Sequence, residues 1–304
     1  MSSVRPGAET TSNTDDAPSW VLVAGATGYI GRHIVEALHD AGYRVRALVR
    51  NEAKLEPVAH ACDEVVLGEA TDRDSLKGIC EGVDVVVSAL GLRTLRRHPS
   101  ADDVDLRANQ NILECAQAAR VKHFVFVGVL AGEEMMSEVP ILRPRERFID
   151  ELRQSGLNWS VIRPTGAFND GAEIFRIAQR GWAFMLDDGH HRINLIHPAD
   201  IADVTVRAIS DTQLHDTEFG IGGPDTYSHR ELTDLAAEVL GKRLRPIHLP
   251  GWTVDAVAAV LRPFNRNAAG FMRFFRHTLS RDMVGEPVGN HHLGDFYREL
   301  AAKQ

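Results

Sequence analysis

The sequence predicts an α/β fold, a doubly wound parallel sheet with a smaller C-terminal lobe. Three observations predict it. Short apolar runs alternate with amphipathic stretches through the first half of the chain. Those runs are continuously apolar, as strands covered on both faces require. The first run also ends in a glycine-punctuated turn, Gly25-Ala-Thr-Gly28-Tyr-Ile-Gly31, that opens directly into a helical pattern. With 304 residues, 44% of them hydrophobic, the chain is long enough to bury a full core.

The first strand is the apolar run from Trp20 to Ala24. After the glycines, Ile30, Ile34, Val35 and Leu38 recur at helical spacing. Strand, glycine turn and helix together aim free backbone N–H groups and the positive end of a helix dipole at one point, where a pyrophosphate can sit. The turn therefore predicts a Rossmann-like dinucleotide site with Gly25, Thr27, Gly28, Tyr29, Ile30 and Gly31 as its cradle. The spacing departs from G-x-G-x-x-G, but the strand-to-helix context is the one that motif needs.

A second strand reads over residues 43–50. An acidic residue at its end would hold the ribose hydroxyls of NAD. Arg50 stands there instead, and Arg32 lies at the start of the helix. An arginine fork matches a phosphate, so NADP(H) is favoured over NAD(H) as the cofactor. A third strand covers residues 64–68, followed by Glu69 and Ala70 where adenine would lie. Thr71 or Asp72 can cap the short helix that follows. The fourth strand, residues 83–90, leads into Ala89, Leu90 and Gly91, small enough in part to let a cofactor approach. A helix over residues 103–119, a fifth strand over 123–128, a helix over 144–155 and a sixth strand over 159–164 complete the alternation.

Beyond Pro164 the alternation weakens. Short strands are expected at residues 193–196 and 218–221, helices at 199–209 and His229–Leu240, and mostly helix over 252–283. The expected organisation is a flexible tail over residues 1–18, a dinucleotide-binding domain over 19–165, and a smaller substrate lobe over 166–304 that does not fold independently and closes over the carboxyl ends of the strands. The segment around Phe264, Phe271, Phe274 and Phe275 is rich in both Phe and Arg. It reads as a docked helix or lid first, a partner surface second and a membrane surface third.

The formal net charge of −8 gives no reason to expect a nucleic-acid partner. Cys62, Cys80 and Cys115 are few, odd in number and without metal spacing, which suits a cytoplasmic setting. No apolar run approaches a membrane span, and the tail lacks the apolar centre of a signal peptide. The adjacent histidines His190-His191 and His291-His292 match no zinc motif, so no metal is expected. The expected partner is a small-molecule substrate, and a homodimer is open to the chain.

Five stretches carry a family resemblance: the glycine turn, Ala47-Leu-Val-Arg50, Asn111-Ile-Leu-Glu-Cys-Ala, Lys122-His-Phe-Val-Phe-Val, and Ser155-Gly-Leu-Asn-Trp-Ser-Val-Ile-Arg-Pro-Thr165. Over roughly the first 250 residues the chain resembles the atypical short-chain dehydrogenases/reductases of the NmrA-like, NAD(P)-binding type. Arg163-Pro-Thr-Gly-Ala-Phe168, Asn194-Leu-Ile-His-Pro-Ala-Asp-Ile-Ala202 and Gly222-Gly-Pro-Asp225 further resemble the divinyl chlorophyllide 8-vinyl reductases. The resemblance implies cofactor contacts along the strand ends, at Val127, Gly128, Pro164, Thr165 and Gly166.

Such dehydrogenases usually carry a Ser after the fifth strand and a Tyr-x-x-x-Lys on the next helix. Here Val127, Gly128 and Val129 end the strand, Ile141 falls at the Tyr position and Arg145 at the Lys position. Arg145 can bind ribose hydroxyls, but a guanidinium does not titrate near neutral pH and cannot donate the proton. His197 is the first candidate for that task, with Asp170 and Arg145 beside it as catalytic candidates. Val129, Phe168, Asn169, Asn194 and His197 are the expected substrate contacts. These features point to an NAD(P)H-dependent reductase of a carbonyl or activated double bond in a mid-sized, partly apolar molecule. The absent Tyr–Lys pair leaves open a non-catalytic NADP(H)-binding regulatory or assembly protein, or a cofactor-dependent isomerase, epimerase or cyclase.

Overall fold

The computed structural model describes residues 19–303, so the expected tail over 1–18 lies outside the described residues. Six strands arise from the apolar runs: β1 (Trp20–Ala24), β2 (Arg44–Val49), β3 (Glu64–Leu67), β4 (Val85–Ser88), β5 (His123–Val127) and β6 (Asn158–Pro164). Between and after them come helices α1 (Tyr29–Asp40), α2 (Asn109–Ala118), α3 (Gly132–Met135), α4 (Arg143–Arg153) and α5 (Phe168–Gln179). The rest of the chain adds β7 (Trp182–Leu186), β8 (Arg192–Ile193), α6 (Pro198–Ser210), β9 (Thr217–Gly222), β10 (Tyr227–Ser228), α7 (His229–Leu240), β11 (Arg245–Leu249), α8 (Gly251–Leu261), α9 (Arg266–Leu279), β12 (Glu286–Pro287) and α10 (Leu293–Ala302).

The main sheet has eight strands in the order β12-β9-β6-β5-β4-β1-β2-β3, and every neighbouring pair is parallel. Strand order reverses between β1 and β4, the switch point where open α/β sheets bind ligands. The continuous apolar pattern has its cause in two covered faces. Along β1, Val21 and Val23 enter one core with Ile34, Val35 and Leu38 of α1, while Leu22 and Ala24 enter the other with Ile112 of α2 and Phe148, Ile149 and Leu152 of α4. Side chains alternate across a strand, so both sets must be apolar.

One expectation is corrected, and one stretch is placed more closely. Part of the stretch 166–304 joins the main sheet and its core. Its helix α6 packs Ile201, Ala202, Val204 and Ala208 onto the same core face as α1, and β9 and β12 extend the main sheet. Strand β9 pairs with the open edge of β6, and β12 in turn with β9. What is separate is a cluster of α5, α7 and α10 around Phe168, Phe175, Leu232 and Tyr297, and a second around Met135, Val139, Leu142 and Met283. The helix expected over 103–119 is divided: residues Asp102–Ala108 form a π-helical turn before α2. Asn109, fully buried, explains the change. Its amide donates to the carbonyls of Val104 at 3.2 Å and Asp105 at 3.1 Å, and its oxygen accepts the Ser88 hydroxyl at 2.6 Å. The side chain thus satisfies carbonyls that a wide turn leaves open.

Phe148 is wholly buried with its ring centroid 4.9 Å from Phe126 and 5.9 Å from Phe124. Phe148→Ala should lower stability by about 3–5 kcal/mol, measured by urea denaturation.

Candidate functional site at the strand ends

The glycine turn forms as its sequence predicts. Gly25 has φ +86°, open to glycine but strained for other residues, and a Cβ there would lie 3.0 Å from the Ala89 carbonyl oxygen. A Cβ at Gly31 would collide with the carbonyl of Gly25. The Gly28 amide donates to that carbonyl at 2.8 Å, and Gly28 caps α1 without any side-chain bond to the helix amides. The first turn of α1 therefore offers its N–H groups and dipole to an anion at the switch point. The glycines let α1 close against β1 and β4, and the uncapped helix start this leaves suits a dinucleotide pyrophosphate. Thr27 and Tyr29 are half-buried beside it, while the Ile30 side chain packs into the core.

At the ends of β2 and β3, Arg50 is 70% exposed and faces Glu69 at 3.5 Å. Glu69 accepts from the Thr71 amide at 3.3 Å and hydroxyl at 3.1 Å, which orients its carboxylate. Ala70 is core, and its carbonyl accepts from Asn111 at 2.9 Å. The Arg32 Nε is buried without a partner, so this guanidinium has a donor to spare near the cradle.

At the ends of β4 and β5 the arrangement departs from expectation. Arg145 lies beneath Gly91, where a Cβ would strike its guanidinium, and turns Nη1 toward the Gly128 carbonyl at 3.5 Å. It is committed to Asp105, which accepts from its Nε at 2.9 Å and also from Nη2. Asp105 is 3% exposed and takes the Leu92 amide at 3.2 Å as well. The pair ties the π-helical turn to the ends of β4 and β5. Arg145 thus positions the crevice wall rather than serving as a free catalytic group.

His197 is likewise corrected. Its Nδ1 accepts the Ala199 amide at 3.2 Å, so the ring caps α6. Its ring stacks on His291 at 4.2 Å and meets His33 and Phe168 edge-on. Burial, then His291 and His33, push its pKa down to about 4, so at neutral pH it holds no acidic imidazolium proton to donate. Phe168 is 1% exposed in the α5–α7–α10 core, and Asn194 is fully buried, bridging Gly223 and Gly285. Neither lines the cleft. Their apolar and amide character could not reveal from sequence which element would cover them. Val127 is core, Val129 packs in the cluster around Met135, and Thr165 and Gly166 are tied by backbone bonds to Ile221 and Ile196. Pro164 is buried at the end of β6.

Asp170 lies in the first turn of α5. One carboxylate oxygen accepts the Ala167 amide at 3.0 Å, and the other faces Arg93 at 3.4 Å. Burial raises its pKa, against the opposing pull of Arg93. Tyr29 stands close enough to feel it: burial first, and then Asp170, push its hydroxyl up to about 12. Asn169 beside it has a buried carbonyl oxygen with no partner. The structure therefore brings together Tyr29, Arg93, Asn169 and Asp170 across the crevice. Arg93 and Asp105 escaped the sequence reading. Asp105 left a signal, a lone acid on the apolar face of a helical stretch, but Arg93 sits in a loop and left none.

Fold and crevice together define a dinucleotide-binding α/β protein. The chain belongs to the NAD(P)H-binding family, whose model matches residues 25–212. It is 30% identical to a (4-alkanoyl-5-oxo-2,5-dihydrofuran-3-yl)methyl phosphate reductase of Streptomyces griseus over 79% of this chain and 80% of the relative. It is 26% identical to the photosystem II assembly factor Ycf39 of Cyanophora paradoxa, over 76% and 71% of the two chains. The expected resemblance to the vinyl reductases holds: the chloroplastic enzyme of Oryza sativa subsp. indica is 29% identical over 87% of this chain and 71% of its own. Among solved structures, an NADPH-dependent quinone oxidoreductase of Escherichia coli superposes with a TM-score of 0.72 at 19% identity, over 92% and 99% of the two chains. Among the described residues, no helix is long and apolar enough to cross a membrane.

Removing Arg145 leaves the Asp105 carboxylate buried without its cation. Arg145→Met should cost about 3–5 kcal/mol in chemical denaturation. The histidines set an acid limit. His123, beside His215 and Asp216, and His197, beside His33, His291 and Asp200, both have folded pKa values near 4 against an ordinary 6.5, chiefly through burial. The unfolded chain therefore binds more protons, and stability present above pH 6.5 should fall progressively towards pH 4. His197→Asn, which can still cap α6, should flatten that fall in melting temperatures recorded against pH.

Proposed function

We propose that the protein is an NADP(H)-dependent reductase acting on a carbonyl or activated double bond of a mid-sized, partly apolar small molecule. The observation that carries the reading is the uncapped, glycine-lined start of α1 at the switch point, with Arg32 and Arg50 beside it. The glycine cradle would hold the pyrophosphate, and Arg50 and Arg32 the 2′-phosphate. Gly91 and Gly128, backed by Arg145, would leave room for the nicotinamide ribose. When bound, the cofactor would supply the hydride. Asp170 is the group we assign to pass the proton: it lies at the crevice with Arg93 and Tyr29 facing it, and burial raises its pKa against the pull of Arg93. The relatives named as reductases, and the NADPH in the quinone oxidoreductase structure, support the choice of chemistry and cofactor. The free cysteines Cys62, Cys80 and Cys115 support a reducing, cytoplasmic setting.

One observation favours a second reading, a non-catalytic NADP(H)-binding assembly or regulatory protein. Ile141 stands where a catalytic Tyr would, and it is packed tightly, with a Cβ at Gly270 of α9 falling 2.9 Å from its side chain. The algal relative is itself named an assembly factor.

Titration calorimetry with NADPH and NADH, followed by cofactor absorbance with a panel of quinones and enones, separates the two. Turnover supports the reductase. Tight NADPH binding without turnover of any substrate class supports the second reading, and no heat with either nucleotide defeats both. Arg50→Ala should weaken NADPH relative to NADH by about tenfold, near 1.4 kcal/mol. Asp170→Asn should lower turnover by about a hundredfold or more with little change in NADPH affinity.

A further inference from the structure

The most unusual surface of the molecule lies away from the crevice, on the β7–β11 ribbon and α8. The two strands run parallel and in register, with Trp182 beside Arg245, Phe184 beside Ile247 and Leu186 beside Leu249. Side chains alternate across a strand, and Ala183 and Met185 form the buried set at 4% and 6% exposure. The outer face is therefore apolar, with Trp182, Phe184 and Leu249 each at least 36% exposed. The chain then turns at Pro250 into α8, where Trp252 and Val260 are each 69% exposed, and Phe264 just beyond is 72% exposed. A surface helix ordinarily turns charge outward and apolar residues inward. On α8 the order is reversed. Its one charged residue, Asp255, is paired with Arg276 of α9 at 3.2 Å, while Ala256, Val257 and Ala259 complete the exposed arc.

Cations outnumber acids around this surface. Residues 182–188 and 242–281 hold eight Lys or Arg against three acids, Asp187, Asp188 and Asp255, in a chain whose formal net charge is −8. Lys242, Arg243, Arg245, Arg262 and Arg266 are exposed, and the Arg245 guanidinium lies 5.7 Å over the Trp182 ring.

We infer that the outer face of the β7–β11 ribbon and α8 docks on an anionic lipid bilayer. Its aromatic and aliphatic side chains enter the headgroup boundary, and its arginines meet lipid phosphates. Helix α8, at 11 residues, is too short to span and would lie in the plane of the interface. The charge pattern selects this occupant over a second copy. A two-fold contact would press the same cationic rim against itself, whereas an anionic surface complements it. The inference stands independently of the proposed reductase activity.

The test uses the full chain and co-sedimentation with vesicles of phosphatidylcholine alone or mixed with phosphatidylglycerol, at low and high salt. The chain should partition at least about tenfold more strongly onto the anionic vesicles, and less so at high salt. Trp252→Glu with Val260→Glu should abolish binding, and Arg262→Glu with Arg266→Glu should remove the preference for anionic lipid. All four side chains are outward or exposed, so unchanged thermal melts report that the variants are folded. The blue shift of tryptophan emission on vesicles should shrink in Trp252→Phe and vanish when Trp182→Phe is added. The inference is overturned if the folded wild-type chain ignores anionic vesicles, or if both double variants bind as the wild type does. It is equally overturned by a concentration-dependent dimer in sedimentation velocity that Trp252→Glu dissociates.

Discussion

The close approach of α1 to the end of β1 is the constraint on which the rest of the structure depends. The Gly25 carbonyl accepts the Gly28 amide and leaves no room for a Cβ at Gly31. Gly25 itself lies against the backbone of Ala89. With these contacts closed, the axis of α1 is set relative to β1 and β4. Ile34, Val35 and Leu38 then meet the sheet, and α6 packs against the same face. The feature that makes the core possible also empties the helix start of side chains. One arrangement of backbone therefore serves both packing and anion recognition.

The opposite wall of the crevice is held by buried charge. Asp105 and Arg145 join the π-helical turn to the ends of β4 and β5. On the next strand, Arg163 forks onto Glu146 at 2.8 and 3.0 Å and reaches Glu218 of β9 at 2.9 Å. Pairs of this kind return little net energy against hydrophobic replacements, because both ions lose their water. Their value here is geometric. A guanidinium with several fixed donors holds three elements in one register, which an apolar contact of similar size would leave free to slide. Ser88 and Asn109 extend this wall to the end of β4.

Much of the fold was legible in the sequence because local rules and tertiary demand agree there. Strands covered on both faces must be continuously apolar, and β1, β4 and β5 are. The helix expected at His229–Leu240 forms as α7, and at its start the Ser228 amide donates to Glu231 at 2.7 Å. The glycine turn is legible from spacing alone, since backbone conformation dictates glycine at Gly25 and close approach dictates it at Gly31. His197, Phe168 and Asn194 were misread because a side chain near a strand end faces either the crevice or the core, and composition does not distinguish them.

Sequence by itself determined the parallel sheet and the glycine turn from β1 into α1. These depend on short-range geometry: what fits between one strand and the helix that follows it. Only the tertiary structure decided that Arg145 belongs to Asp105, 40 residues away, that Arg93 meets Asp170 across 77, and that the chain beyond Pro164 returns to complete the sheet. It alone decided that α8 turns its apolar side outward. An ion pair or a burial pattern of this kind is a property of two surfaces meeting, and neither surface carries the address of the other in its local sequence.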